Sequence, residues 1–415
     1  MKLVVFLNNL GYGGTGKAAC RWAWGLKERG HQITVLTLMD GPRRAELEQH
    51  HVPVQVASTS AKAIADVLLG ISPDAIHAHV PGHAHEGDVL GTALALLPQK
   101  IPVVQTNIFG KFHNPAEDAW TDFRLFVSWT SCVQAARRSF RKLDGNFFRR
   151  ASVAVNPLDP VGPSSVAEVA AFRKQLGVAD DEVLFGRLSR PEPNKWTNLA
   201  LVAFRRALRR NWKLKLLLRE PPPLVAAELL ASPDADRFVI LPATADAGEL
   251  RLTMSVLDIV LHTSSIGESF GYGIAEPMNL GKPVITHSVP WLDQAQIELV
   301  RYGECGFVAS TPRTMAGAIL QLAGDASLRE RMGAQAREHI HNLADPEISL
   351  DRLEAILRAA TEKGDNPFAA EDLDRARTTA AYLEAHQFGH SLLEQIALCP
   401  LYYRVRFHEF RKKYS

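Results

Sequence analysis

The feature that most constrains this chain is a pattern that runs twice, in which short, continuous β-rich runs alternate with stretches of helical spacing. Residues 2–7 form the first run; a glycine-rich turn at Leu10–Gly16 follows, then helical spacing from Lys17 to Arg29 closed by Gly30. Ile33–Leu38, Ala75–Val80 and Pro102–Thr106 read as further strands, and Ala61–Leu69 as a helix. Apolar strands without in-out alternation, interleaved with helices, predict a parallel, doubly wound α/β sheet covered on both faces. The pattern stops at Asn156–Ser165, where Pro157, Pro160 and Pro163 impose extended chain. It then restarts: Val183–Gly186, Lys213–Leu218, Phe238–Leu241, Val256–Leu261 and Pro283–Thr286 read as strands and Thr197–Arg209 as a helix. From Thr314 onward the spacing is helical, over 314–322, 326–342 and 370–386, with a break at Gly364–Pro367. The expectation is a domain at 1–160, a second at 161–345, and a helical extension at 346–415 packing back on the first, since 415 residues exceed what one core organises.

Composition narrows the function classes. Hydrophobic residues make up 46% and charged residues 22%, ample for two cores. With 47 Lys plus Arg against 45 Asp plus Glu, the net charge of +2 offers no global field for nucleic acid, which is not expected as a partner. Cys20, Cys132, Cys305 and Cys399 form neither a C-x-x-C pair nor a disulfide framework, which fits a reducing, cytoplasmic setting. The apolar run at residues 3–7 stops at two asparagines, too short for a signal-peptide core or a membrane span.

Two loops carry chemistry. Gly11–Ala18 follows a strand and opens a helix, so its amides and the helix dipole suit an anion. It nearly satisfies the P-loop spacing, but Ala18 stands where a magnesium-holding hydroxyl is needed, and no strand soon afterwards ends in an Asp. A tight turn for strand-helix packing and a phosphate or sugar contact without magnesium are the other readings. The second loop runs from Glu268 to Glu276, two carboxylates with seven residues between them. A helix expected over Phe270–Leu280 would expose the N–H groups of Ser269, Phe270 and Gly271 to a diphosphate. Each carboxylate suits a pair of vicinal hydroxyls, sugar or ribose; the alternative is a helix cap at Glu268 and a solvated charge at Glu276.

The bracketing of this pair is more specific than its spacing. The segment from Asp258 to Val308, with Ser264-Ser265 before Glu268, Gly281-Lys-Pro-Val284 after Glu276 and a later Gly306-Phe-Val308, resembles the donor-binding region of retaining, family-four glycosyltransferases of the GT-B fold. Gly186-Arg-Leu-Ser-Arg-Pro-Glu-Pro-Asn-Lys195 is similar to the family's loop whose Arg and Lys bind the donor diphosphate. Gly13 and Gly14 match its Gly-Gly loop, Ile76-His-Ala-His79 one of its strands, and Asn156-Pro-Leu-Asp159 the close of its first domain.

The resemblance implies two Rossmann-like domains facing a central cleft and a nucleotide-sugar-dependent hexosyltransferase, of the kind used in polysaccharide biosynthesis. It implies Glu268, Arg187 and Lys195 as catalytic residues, with Gly13, Gly14, Ser269, Phe270, Gly271, Glu276, Arg190 and Asn107 around the donor. The donor is a substrate, and neither cofactor nor metal is expected. The acceptor is a hydroxyl of a glycan, a lipid-linked glycan or a small molecule. A non-catalytic scaffold binding a nucleotide or a partner, and a P-loop ATPase, are the alternatives.

There are departures. Trp196 follows Lys195 where the family has Gly, and the loop is two residues longer, so Arg190 is a substitute for Arg187. Asn107, or His113, stands in for the family's cleft histidine, and Pro277 removes a helical hydrogen bond beside Glu276. His77 and His79 share a strand face and read as core or sheet-end histidines. Asp372-Leu-Asp374 is not a metal motif. The basic-aromatic stretches 137–150 and 401–413 suit peripheral contact with the inner face of a membrane, or for the latter a helix packed on a domain.

Overall fold

The computed structural model describes residues 1–80, 89–110, 119–192 and 195–414, with side chains described as far as Phe407. The chain divides into two compact units, Met1–Pro157 with Ala344–Ala380, and Leu158–Leu343 with Ala381–Ser415. The helical stretch expected as one extension over 346–415 is thus shared between them.

The first unit is a seven-stranded sheet. Its strands are β1 (Lys2–Asn9), β2 (Gln32–Met39), β3 (Val54–Val56), β4 (Ala75–Val80), β5 (Val103–Asn107), β6 (Phe123–Phe126) and β7 (Ala151–Val153). They lie in the order β3-β2-β1-β4-β5-β6-β7, and every pairing is parallel. Strand β1, inside the sheet, explains its own sequence: Leu3, Val4, Val5, Phe6 and Leu7 are all buried because helices cover both faces. Ile64 and Leu68 of helix Ala61–Ile71 pack with Val4, Phe6 and Ile76 on one of them. Helix Pro346–Thr361 returns to helix Gly14–Glu28, and a Cβ on Gly25 would lie 2.9 Å from Leu350 Cδ1, so glycine sets that approach. Arg29 joins it by ion pairs to Glu347, Asp351 and Glu354. Further along, the fully buried Asp372 carboxylate accepts from Ser152 Oγ at 2.6 Å, from Asn366 Nδ2 at 2.9 Å and from Arg352.

In the second unit the strands are β8 (Val183–Leu188), β9 (Leu214–Arg219), β10 (Phe238–Leu241), β11 (Ile259–Leu261), β12 (Gly267–Glu268), β13 (Val284–Thr286), β14 (Asp293–Gln294) and β15 (Gly306–Val308). Six form a parallel sheet ordered β10-β9-β8-β11-β13-β15, while β12 and β14 pair separately. Phe185, Leu216, Ile259, Leu261 and Ile285 pack with Phe204 and Ile319 of the covering helices. Val256, expected as the start of a strand, ends helix Ala247–Val256, because a short apolar run carries no periodicity that separates strand from helix. In the C-terminal part, buried Glu394 accepts from Ser310 N at 2.5 Å and Thr314 Oγ1 at 2.9 Å. Two doubly wound Rossmann-like units with helical C-terminal segments match the fold class expected from the sequence.

Candidate active site

In the second sheet the connections run outward in opposite directions from β8 and β11, so the loops after these two strands diverge and leave room at their carboxyl ends. The residues marked by the sequence gather there. Strand β8 delivers Arg187 and, through its loop, Lys195; β11 runs directly into His262 and Thr263 and then to Glu268.

Glu268 is held by backbone. Gly267 has φ +66°, and a Cβ there would fall 1.9 Å from Asp293 O. Glycine alone lets β12 lie against β14. The Glu268 N–H donates to Gln296 Oε1 at 3.0 Å, and Ser269 Oγ donates to Asp293 Oδ2 at 2.6 Å. Its carboxylate takes two donors on one oxygen: Lys195 Nζ at 2.8 Å and His262 Nε2 at 3.2 Å, both to Oε1. Burial alone would raise this carboxyl, but the His262 hydrogen bond and the Lys195 charge outweigh it and bring it down to about 2. Burial also holds His262 below its ordinary value, so the neutral ring donates from Nε2.

Helix Tyr272–Asn279 follows, capped by Gly271 in the left-handed region at φ +95°. The helix expected from Phe270 therefore starts later: Gly271 turns the chain first, leaving Ser269 and the buried Phe270 in the approach. Gly273 brings the first turn over β8, since its Cβ would lie 2.9 Å from Leu188 O and 3.9 Å from His262 Nδ1. Half-buried Glu276 sits in the second turn, beside Pro277, and the helix ends at Asn279.

Arg187 and Arg190 have different surroundings. Arg187 is 1% exposed; Nη1 donates to Thr263 Oγ1 at 2.5 Å, Nη2 to Lys195 O at 2.6 Å, and the Trp196 ring centroid lies 4.0 Å from Cζ. Burial pushes its guanidinium down to about 10. Trp196 is fixed in turn by Nε1 donating to Arg190 O at 2.8 Å. Arg190 itself pairs with Glu192 at the surface.

The other expected residues lie in the first unit. Gly13 caps helix Gly14–Glu28, and buried Asn107 ends β5. His77 bonds Thr106 Oγ1 at 2.7 Å and the His79 ring lies tilted beside it with centroids 4.3 Å apart, both fully interior, as a core role requires. His113 lies outside the described residues. In the stretch 137–150, Phe148 is buried, Arg138 donates to the carbonyls of Phe109 and Gly110, and Arg149 pairs with Asp365, leaving Phe140, Arg141 and Lys142 outward. In 401–413, Tyr403 and Phe407 are exposed. No described helix is long and apolar enough to cross a membrane.

Sequence reasoning passed over His262, Thr263, His287, Asp293 and Gln296. One signal was available for the first: a polar residue immediately after a wholly apolar strand, at the edge where parallel sheets bind ligands. Gln296 and Asp293 reach the site through the β12–β14 pairing, which has no local signature.

Comparison with known proteins agrees with this geometry. Residues 168–339 match the family model described as Glycosyl transferases group 1, and residues 4–122 that described as Glycosyl transferase 4-like. The fold is shared with several solved structures. The Anabaena protein Alr3699/HepE, solved in complex with UDP-glucose, is 19% identical with a TM-score of 0.70, over 86% of this chain and 100% of that one. A glycosyltransferase from Rickettsia africae ESF-5 is 15% identical with a TM-score of 0.71, over 86% and 98%. Sucrose-phosphate synthase from Thermosynechococcus elongatus is 15% identical with a TM-score of 0.68, over 88% and 100%. A search of curated proteins found no match. The chain has the GT-B fold, and over residues 168–339 it is similar to group 1 glycosyltransferases.

Proposed function

We propose that this chain is a glycosyltransferase that moves a hexose-type sugar from a nucleoside diphosphate to a hydroxyl of a glycan, lipid-linked glycan or small molecule, with retention of configuration as in family four. The observation that carries the reading is the Lys195–Glu268 pair at the carboxyl edge of the second sheet, beside the start of helix Tyr272–Asn279. Lys195 and the amides at the helix start meet the departing diphosphate, whose charge grows as the glycosidic bond breaks. Glu268 orients the sugar through its hydroxyls, and Glu276 takes the ribose diol. Ser269, Phe270 and Gly271 shape the approach to the helix. Arg187 acts on this reading through Lys195 and Thr263, which it holds, and Arg190 lies further out. The mechanism calls on no metal or cofactor.

The polysaccharide or lipid-linked acceptor, a cytoplasmic setting and attachment to the inner face of a membrane belong to the same proposal. Exposed Tyr403 and Phe407 on a helix that also carries Arg404 and Arg406 support the membrane contact. The Anabaena protein's complex with UDP-glucose makes a uridine donor the first to try. The test is a panel of UDP-glucose, GDP-mannose, ADP-glucose and TDP-glucose, following binding by calorimetry and sugar release by product analysis. Binding and turnover of one donor are expected; failure of all four to bind overturns the reading.

A further inference from the structure

His262 belongs to neither the expected site nor the sheet core. It is 4% exposed, and its neighbours in β11, Ile259 and Leu261, face the apolar cluster. Its backbone N–H continues the sheet by donating to Ile285 O at 2.9 Å, so the position of the ring is set by β11 and β13. Gly273 closes over the ring from the other side, 3.9 Å from Cε1 and Nδ1 for an added Cβ. The imidazole therefore stands on the rigid part of the site, whereas Lys195 stands on a loop.

The two donors to Glu268 converge on one oxygen. Lys195 Nζ and His262 Nε2 both reach Oε1, and no described residue donates to Oε2. The terminal torsion of a glutamate is broad and roughly two-fold unless something ties it. A lysine alone would follow the carboxylate as it rotates, being a point charge on a flexible stem. A ring fixed on the sheet supplies the reference. We infer that His262 is a positioning residue for Glu268, locking Oε1 so that Oε2 alone is presented to the hydroxyls of the donor sugar. This rests on the donor-site reading above and adds to it how the carboxylate is aimed.

Several charged or titratable groups face Glu268 or its backbone: Lys195 and Arg187 from the β8 side, His287 from the end of β13, and Asp293 from β14. A change in overall charge is therefore a poor probe of one hydrogen bond, and the test keeps charge constant. His262→Leu removes the donor; His262→Gln retains a neutral N–H. Calorimetric titration with UDP and with UDP-glucose, or with the matching pair for the nucleotide that the panel selects, separates binding of the nucleotide from aiming of the sugar.

The Leu variant is expected to bind UDP within twofold of wild type and UDP-glucose about tenfold more weakly, the scale of one hydrogen bond to a charged group. The Gln variant is expected to recover most of that loss. Equal weakening of both ligands, no weakening of either, or no recovery with Gln overturns the inference. Glu268→Gln, run in parallel, keeps the two levels apart. If it loses the preference for UDP-glucose over UDP while His262→Leu does not, the donor site stands and the role of His262 falls. If Glu268→Gln also behaves as wild type, the donor-site reading falls with it.

Discussion

Lys195 Nζ lies 2.8 Å from Glu268 Oε1, a cation and an anion that come from loops after different strands and are each largely removed from water, at 19% and 13% side-chain exposure. Such a pair costs desolvation that its own attraction only partly repays. Its presence at the mouth of a parallel sheet is therefore better explained by what it does to a ligand than by stability.

Lys195→Ala is expected to lower kcat by about 100- to 1,000-fold, the scale of losing one preorganised electrostatic partner. The fold should survive, since Lys195 is on a loop. Steady-state kinetics with the donor found in the panel, alongside circular dichroism, checks both halves; unchanged turnover would remove Lys195 from the mechanism.

Acid should destabilise the protein well before its carboxylates titrate. Burial lowers His79 and His287 to about 3 and moves His77 and His262 downward too. Their stabilising contribution is complete above the unfolded value near 6.5 and is lost as pH falls toward the folded value, because the unfolded chain takes up the proton and the folded chain does not. Each such histidine contributes a slope of about 1.4 kcal/mol per pH unit within that window. Glu268, also depressed, adds a second loss below about pH 4. His79, whose two ring nitrogens have no hydrogen-bond partner among the described residues, gives the cleanest test. His79→Leu should flatten the fall in Tm between pH 6.5 and 5, as measured by scanning calorimetry, and an unaltered slope would contradict this account.

Gly267→Ala should be severely disruptive although it adds one methyl group. The left-handed φ and the 1.9 Å approach to Asp293 O leave the methyl nowhere to go, so β12 must part from β14. A loss of at least about 2 kcal/mol is expected in urea unfolding, together with loss of donor binding, because Glu268 follows directly.

Asp372→Ala tests the other unit. Removing a buried carboxylate that takes Ser152, Asn366 and Arg352 leaves Ser152 Oγ without its acceptor and Arg352 without its buried counter-charge, while Asn366 keeps the carbonyls of Phe148 and Ala151; the cost is about 3–5 kcal/mol. Burial pushes this carboxyl upward against the pull of Arg352, so Asp372→Asn should be tolerated better than alanine. Equal Tm for the two neutral variants would show that the amide recovers nothing and that the charge itself is what counts there.

Much of this molecule was legible in one dimension. The doubly wound units followed from apolar runs alternating with helices, because a strand covered on both faces must be apolar at every position, as β1 is from Leu3 to Leu7. The Glu268 loop, Lys195 and Arg187 were marked by motif and by neighbours in sequence. What no local pattern carried was the company each keeps. Arg187 read as a phosphate ligand lies under Trp196 and braces Lys195 O, because the fold brings a tryptophan over it. The helix at the site starts at Tyr272 because Gly271 takes a left-handed turn first. The 346–415 helices divide between two units because each half finds its own partners, Arg29 and Ser152 for one and Ser310 for the other. The carboxylate pair at 268 and 276 was a property of the sequence; that Glu268 is held through one oxygen, by Lys195 and by a histidine at the end of β11, was decided in three dimensions, where residues 195 and 262 meet by strand order rather than by spacing.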